Sequence, residues 1–193
     1  MTNELLKKPV SFAEYLLLPY DRKRTELVDG HILEMSEASP LHVLIITTLQ
    51  YVLKAYFDAE SLNLAVYAGT GIEIPRSGIN NVRDPDLVVC DREQFQAMLH
   101  LTKAIFLEGN SPALAIEVVS PGNQTVDTVD KRLEYALAKV PEYWIVNPID
   151  SYVLVLVLEG HEYRELGEYR GDELIESRLL PALKVKAREI LNL

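Results

Sequence analysis

The run Ala113-Leu-Ala-Ile-Glu-Val-Val119 constrains this chain more than any other segment. It is a near-continuous apolar stretch, of the kind that forms strands buried on both faces in sheets covered by helices. Glu117 interrupts it near its centre. An unpaired buried carboxylate costs several kcal/mol even after relaxation. The fold must therefore supply Glu117 with a cation, a metal ion or a raised pKa.

A second segment, Arg83-Asp-Pro-Asp-Leu-Val-Val89, also puts charge against apolar sequence. Pro85 sets the approach, and Asp86 opens a strand expected over Asp86 to Cys90. Taken singly, Asp86 reads equally as a turn cap. Glu117 reads equally as half of a buried ion pair with Arg83 or Lys131, because structural pairs also perturb ionisation. Taken together, two strand-borne carboxylates suit a hard divalent cation. Mg²⁺ takes one or two carboxylates and completes its shell with waters and phosphate oxygens, and it activates a bound water.

The segment after the Glu117 strand predicts a helix. Asn123-Gln-Thr125 leads into it, it spans about Val126 to Lys139, and Pro141 follows. Asp127, Lys131 and Tyr135 share one face at i, i+4, i+8. By spacing alone, Asp127 and Lys131 read as a surface pair worth a few tenths of a kcal/mol. The alternative is a lysine reaching back over the sheet end to a phosphate or to the attacking water.

The rest of the pattern is α/β with a mixed sheet. Ser11 and Glu14 predict a capping box for a short helix ended by Pro19. Two alternating runs around Asp29-Gly30, from Arg24 to Met35, predict a hairpin. Ser39-Pro40 introduces a long helix to about Phe57, with Val43, Ile46, Leu49 and Leu53 as its apolar positions and Leu44, Tyr51 and Phe57 beside them. Leu64 to Ile74 reads as one or two strands broken at Gly69-Thr-Gly71, and residues 92 to 107 as partly helical. Tyr143 to Asn147 is a strand, Ser151 to Tyr169 a hairpin around Glu159-Gly160, and Leu179-Leu-Pro181 and Ile190-Leu191 belong to the tail. No linker or solenoid repeat breaks the chain. Its 193 residues suit a single domain, with residues 1–38 as helix and hairpin, 39–150 as core and 151–193 as C-terminal hairpin and tail.

Several chemistries are excluded. One cysteine, Cys90, forms no intrachain disulfide and no cysteine metal cluster. His31, His100 and His161 lack paired spacing for zinc. Ser120 has no nucleophile elbow, and no P-loop or dinucleotide fingerprint occurs. No apolar run approaches the roughly 18 residues of a membrane span. Met1-Thr-Asn-Glu4 is unlike a signal peptide, and a cytoplasmic location is expected. The net charge of −10 and pI of about 4.9 run against nucleic-acid binding, which neutralises phosphates with basic residues. Any such binding then needs a local basic patch or a metal ion.

At these residues the chain resembles the Uma-type family, restriction endonuclease-like proteins of the PD-(D/E)XK nuclease superfamily. The matching stretches are Glu26-Leu-Val-Asp-Gly-His-Ile32, Ser39-Pro-Leu-His42, Pro85-Asp-Leu-Val-Val89, Ile116-Glu-Val-Val-Ser-Pro121, Asp127 with Lys131 and Tyr135, and Glu142-Tyr-Trp-Ile-Val-Asn147. They cover most of the chain in the family's order. The resemblance implies an αβββαβ core, homodimers, and Asp86 and Glu117 as ligands of Mg²⁺ or Mn²⁺, with the Val118 backbone carbonyl beside them. The parent motif has lysine two positions after the glutamate, where this chain has Val119; the resemblance implies that Lys131 supplies that cation.

His42, Glu26, Asp127 and Tyr135 fall at the expected site's periphery. His42 reads equally as a contact to the metal-bound water or as a histidine satisfying backbone at the helix start. Glu26 reads as a further carboxylate of the cluster or as an ordinary hairpin residue. Trp144 is expected in the core, and Tyr143, Tyr152, Tyr163 and Tyr169 at the sheet edge. The expected function is metal-dependent endonuclease action on DNA. The alternatives are a catalytically retired nuclease fold that binds or regulates, and a structural dimer in which Glu117 merely pairs with Lys131.

Overall fold

The structure, a computed structural model, describes residues 9–19, 23–121 and 126–191. The expected lead-in Asn123-Gln-Thr125 and the Met1–Glu4 start lie outside the described residues. Helix α1, Phe12–Leu17, begins with the capping box: Glu14 N–H donates to Ser11 Oγ at 3.2 Å, and Ser11 N–H to Glu14 Oε2 at 2.8 Å. Strands β1, Thr25–Val28, and β2, His31–Glu34, pair antiparallel through Val28↔His31. Asp29 and Gly30 between them both have positive φ, as a tight hairpin turn requires. Gly30 is also a close approach, because a Cβ there would lie 2.6 Å from that of Pro9.

Helix α2, Pro40–Ala59, starts at Ser39, whose Oγ accepts from His42 N–H at 3.2 Å. Its buried row is Ile45, Leu49, Leu53 and Phe57. Val43, Leu44 and Tyr51 are exposed, and Ile46 packs only at the margin. The expected stripe was therefore rotated. The helix carries apolar residues on several faces, and the sheet beneath it accepts one i, i+4 row.

Next come β3, Leu64–Tyr67; β4, Gly71–Ile74; β5, Asn81–Arg83; β6, Leu87–Asp91; α3, Arg92–Gln96; β7, Ile105–Phe106; and β8, Leu114–Val118. A π-helical turn, Val126–Asp130, runs into α4, Lys131–Leu137. Strands β9, Glu142–Asn147, β10, Tyr152–Glu159, and β11, Glu162–Tyr169, precede the short helix α5, Ala187–Leu191.

The strands form a six-stranded sheet, β11-β10-β9-β8-β6-β3, and a five-stranded sheet, β2-β1-β5-β4-β7. Both are mixed: β8 runs parallel to β9 and β4 parallel to β7, and the other pairs are antiparallel. The chain order α2–β3–β6–β8–α4–β9 is the expected αβββαβ core, and it builds the six-stranded sheet. Segments β4, β5 and β7 leave it and join the N-terminal hairpin. Strands of three and two residues are too short to show alternation, so β5 and β7 were not read as strands. The segment 92 to 107, expected to be partly helical, has five helical residues in α3.

Period-two alternation divides the six-stranded sheet into two faces. Leu87, Val89, Leu114, Ile116, Val118 and Trp144 pack under α2 and α5. Val88, Cys90, Ala115, Val119, Tyr143 and Ile145 pack towards α4. Trp144 is core as expected. Tyr143 and Tyr163 are core too, not edge, because their hydroxyls find buried carbonyl acceptors at Asp127 and Val140. Among the described residues, no helix is long and apolar enough to cross a membrane.

Candidate active site

The alternation that buries Ala115 and Val119 towards α4 also aims Glu117 there. Strand β6 pairs with β8 through Leu87↔Ile116. Asp86 immediately precedes the first residue of that ladder. The Val118 N–H donates to Asp86 Oδ2 at 2.8 Å. Asp86 is therefore tied to the Glu117 strand rather than capping a local turn.

The other Asp86 oxygen, Oδ1, accepts from His42 Nε2 at 3.0 Å and lies 3.6 Å from Arg24 Nη1. Burial opposes ionisation of Asp86, but His42, the Val118 N–H and Arg24 outweigh it and hold the pKa below its ordinary value. His42 reaches Asp86 from the first turn of α2. Its side chain serves the carboxylate; only its own N–H serves the helix start.

Glu117 Oε1 lies 2.8 Å from Lys131 Nζ and accepts from the Tyr135 hydroxyl at 2.6 Å. Lys131 Nζ is also 3.1 Å from Asp127 Oδ1 and 3.8 Å from Glu26 Oε1. The residues expected on one helix face do converge, and they are buried. Asp127 and Lys131 are thus no surface pair. The π-helical turn carries Asp127 into the cluster, and its carbonyl accepts from the Tyr143 hydroxyl at 2.7 Å. π-turns of this kind are frequent at functional sites.

Burial raises the Glu117 pKa most, against the pull of Lys131, and the charges of Asp86 and Asp127 add to it, up to about 8. Lys131 is pushed the other way by burial, yet Glu117, Glu26 and Asp127 raise its pKa further and keep it cationic. Asp127 is also raised, first by burial.

Behind this cluster lies a second ionic layer. Arg83 Nη1 bonds Glu26 Oε2 at 2.7 Å, and its Nε bonds Glu134. Asn81 Nδ2 donates to Glu134 Oε1 at 2.7 Å. Glu26 is thus a buried member of the carboxylate cluster, not an ordinary hairpin residue. Arg83 pairs with Glu26 and Glu134 rather than with Glu117. Arg24, Asn81, Asp84 and Glu134 were not singled out from the sequence. Asp84 stood within a quoted motif, but no spacing signalled the other three.

Arg24, His42, Asp86, Glu117, Asp127 and Lys131 line one cleft of about 210 Å³, closed on one side by residues Met35 to Ser39. Its donor atoms suit a hard divalent cation. They are carboxylate oxygens. Among the described residues, no three His, Cys, Asp or Glu side chains converge as a metal-binding set. An ion held by Asp86 and Glu117 would complete its shell from backbone, water and phosphate, which is how Mg²⁺ is commonly bound.

The Uma2 family model, described as "Putative restriction endonuclease", matches residues 12–188. A crystal structure of a protein from Anabaena variabilis ATCC 29413, described as "a putative nuclease belonging to DUF820", superposes with a TM-score of 0.75. The match covers 95% of this chain and 98% of that one at 18% identity, a likeness of fold. No curated protein matches the sequence.

Proposed function

The chain belongs to the Uma2 family, and on that footing we propose that it is a Mg²⁺- or Mn²⁺-dependent endonuclease that hydrolyses DNA phosphodiester bonds. One observation carries this reading: Asp86, tied to β8 through the Val118 N–H, and Glu117 line one cleft with Lys131, whose Nζ lies 2.8 Å from Glu117 Oε1.

In this mechanism Asp86, Glu117 and the Val118 carbonyl would hold the divalent ion, which would supply Lewis-acid polarisation of a phosphoryl oxygen and a lowered pKa for the attacking water. Asp86 is suited to its part because His42, Val118 and Arg24 keep it ionised. Glu117, whose pKa burial raises, would bind the ion as the carboxylate. Lys131 remains cationic, so it is no general base; it steadies the negative charge that develops on the phosphoryl oxygens. Tyr135 and Lys131 fix the orientation of Glu117, and His42 that of Asp86. As the water oxygen bonds to phosphorus and its proton passes to bulk solvent, the bond from phosphorus to the leaving nucleotide oxygen would break, and that oxygen would take up a proton from solvent. A homodimer belongs to the same reading and is measurable by sedimentation.

The test is cleavage of supercoiled and single-stranded DNA at low salt with Mg²⁺, Mn²⁺ or EDTA, for wild type beside Asp86→Ala. Metal-dependent cleavage that vanishes in the variant is expected. Unchanged cleavage by Asp86→Ala would sink the site assignment.

The net charge of −10 and Val119 in place of an in-strand lysine favour a second reading, a catalytically retired module that binds or regulates. It predicts no cleavage by the wild type and feeble Mn²⁺ binding in a calorimetric titration.

A further inference from the structure

A second cleft, of about 180 Å³, adjoins the candidate active site across Arg24, which lines both. Its walls bring together Lys23, Arg24 and Lys103 with a single carboxylate, Asp84. Lys23 and Arg24 precede β1, and Lys103 precedes β7. The patch is thus assembled by the five-stranded sheet from distant segments. Lys23 pairs with Glu34 at 2.7 Å, but both are exposed, and such a pair contributes little. Lys103 Nζ lies 4.8 Å over the Tyr15 ring. In a chain of net charge −10, this is a local concentration of cations beside the candidate site.

Among the described residues, two buried side-chain polar atoms have no hydrogen-bond partner: Asp84 Oδ1 and Thr70 Oγ1. Asp84 is a wall residue, and Thr70 lies between the wall residues Gly69 and Gly71. Their exposures are 7% and 1%. Buried polar atoms nearly always have a partner, and an unmet one costs about 1–3 kcal/mol. The unmet Asp84 oxygen therefore marks the wall of this cleft as a place where a further hydrogen bond would be gained. Gly69 leaves that wall open, since a Cβ there would meet nothing within 4 Å.

Resting on the endonuclease reading above, we propose that this cleft is a substrate subsite for a DNA nucleotide next to the scissile position. Lys23 and Lys103 hold its backbone phosphate, and Asp84 Oδ1 accepts a hydrogen bond from the same nucleotide. Arg24 is the joint between the two clefts. Its Nε bonds Asp84 Oδ2 at 2.9 Å, its Nη2 donates to the carbonyls of Asp84 and Pro85, and its Nη1 faces Asp86. A strand seated in the subsite is thereby set in register with Asp86. Phosphate contacts of this type position a substrate without reading its bases.

The test is titration of a short fluorescent DNA duplex in Ca²⁺, over a series of salt concentrations. Wild type is compared with Lys23→Glu, Lys103→Glu, the milder Lys103→Ala, and Lys54→Glu. Lys54 is an exposed α2 lysine outside both clefts, and its reversal controls for net charge. Charge reversal at Lys23 or Lys103 is expected to weaken binding at least about tenfold and to lower the salt slope by about 1. Lys103→Ala should weaken binding in the same direction, and Lys54→Glu should stay within about twofold of wild type. Equal effects at Lys54 and Lys103, or none at either lysine of the cleft, overturn the subsite and leave the endonuclease reading standing. Wild type that neither binds nor cleaves DNA overturns both.

Discussion

Lys131 Nζ lies 2.8 Å from Glu117 Oε1, and this pair joins the first residue of α4 to the buried centre of β8. It answers the demand that Glu117 places on the fold. The lysine comes from the following helix because Val119, two residues past Glu117, is itself packed in the core on the α4 face.

Lys131→Met should leave Glu117 buried without its cation. Breaking one partner of a buried pair costs about 3–5 kcal/mol, so urea denaturation should show a loss of that size, and plasmid cleavage should vanish. Adding Glu117→Gln should restore much of the stability and none of the cleavage. A double variant with wild-type activity would make the pair purely structural.

The stability of metal-free protein should depend on pH through Glu117. Its folded pKa of about 8 lies above the ordinary 4.5, so the folded state binds that proton more tightly than the unfolded chain. The stabilisation from this group is complete below about 4.5 and is lost as pH rises through about 8. Lys131 is raised from an already high value and acts only at more alkaline pH. Melting temperatures of wild type and Glu117→Gln, compared from about pH 5 to about pH 8, should therefore diverge less steeply when Mg²⁺ is added. Parallel curves at every pH would show that Glu117 titrates normally.

His42→Ala removes the hydrogen bond at 3.0 Å that orients Asp86. Partners of metal ligands typically contribute 10–100-fold to affinity or activity (roughly). Calorimetric titration with Mn²⁺ should show a loss in that range with the fold retained. Unchanged Mn²⁺ affinity would assign His42 to packing alone.

Arg83→Met removes the cation that Glu26 and Glu134 share in the second ionic layer. A destabilisation of about 3–5 kcal/mol is expected. Cleavage measured well below the melting temperature should fall less than in Lys131→Met, because Arg83 bonds neither Asp86 nor Glu117. A stability within about 0.5 kcal/mol of wild type would show that water satisfies both carboxylates.

Local physics was legible in the sequence by itself. The Ser11–Glu14 capping box, the Asp29-Gly30 turn and the Ser39 helix start each depend on a few neighbouring residues, and each lies where those residues place it. So do the strand that carries Glu117 and the one that Asp86 directly precedes, because apolar runs with a stray carboxylate are visible without any partner. The face shared by Asp127, Lys131 and Tyr135 follows from helical spacing. What surrounds that face does not: only burial turned a plausible surface pair into a cluster around Glu117. Tertiary structure alone decided that His42 meets Asp86, that Arg83 serves Glu26 and Glu134, that α2 buries Ile45 rather than Val43, and that Lys23 and Lys103 share a cleft. Those contacts depend on strand register and on how two sheets are assembled from distant segments, and no local period of the chain encodes them.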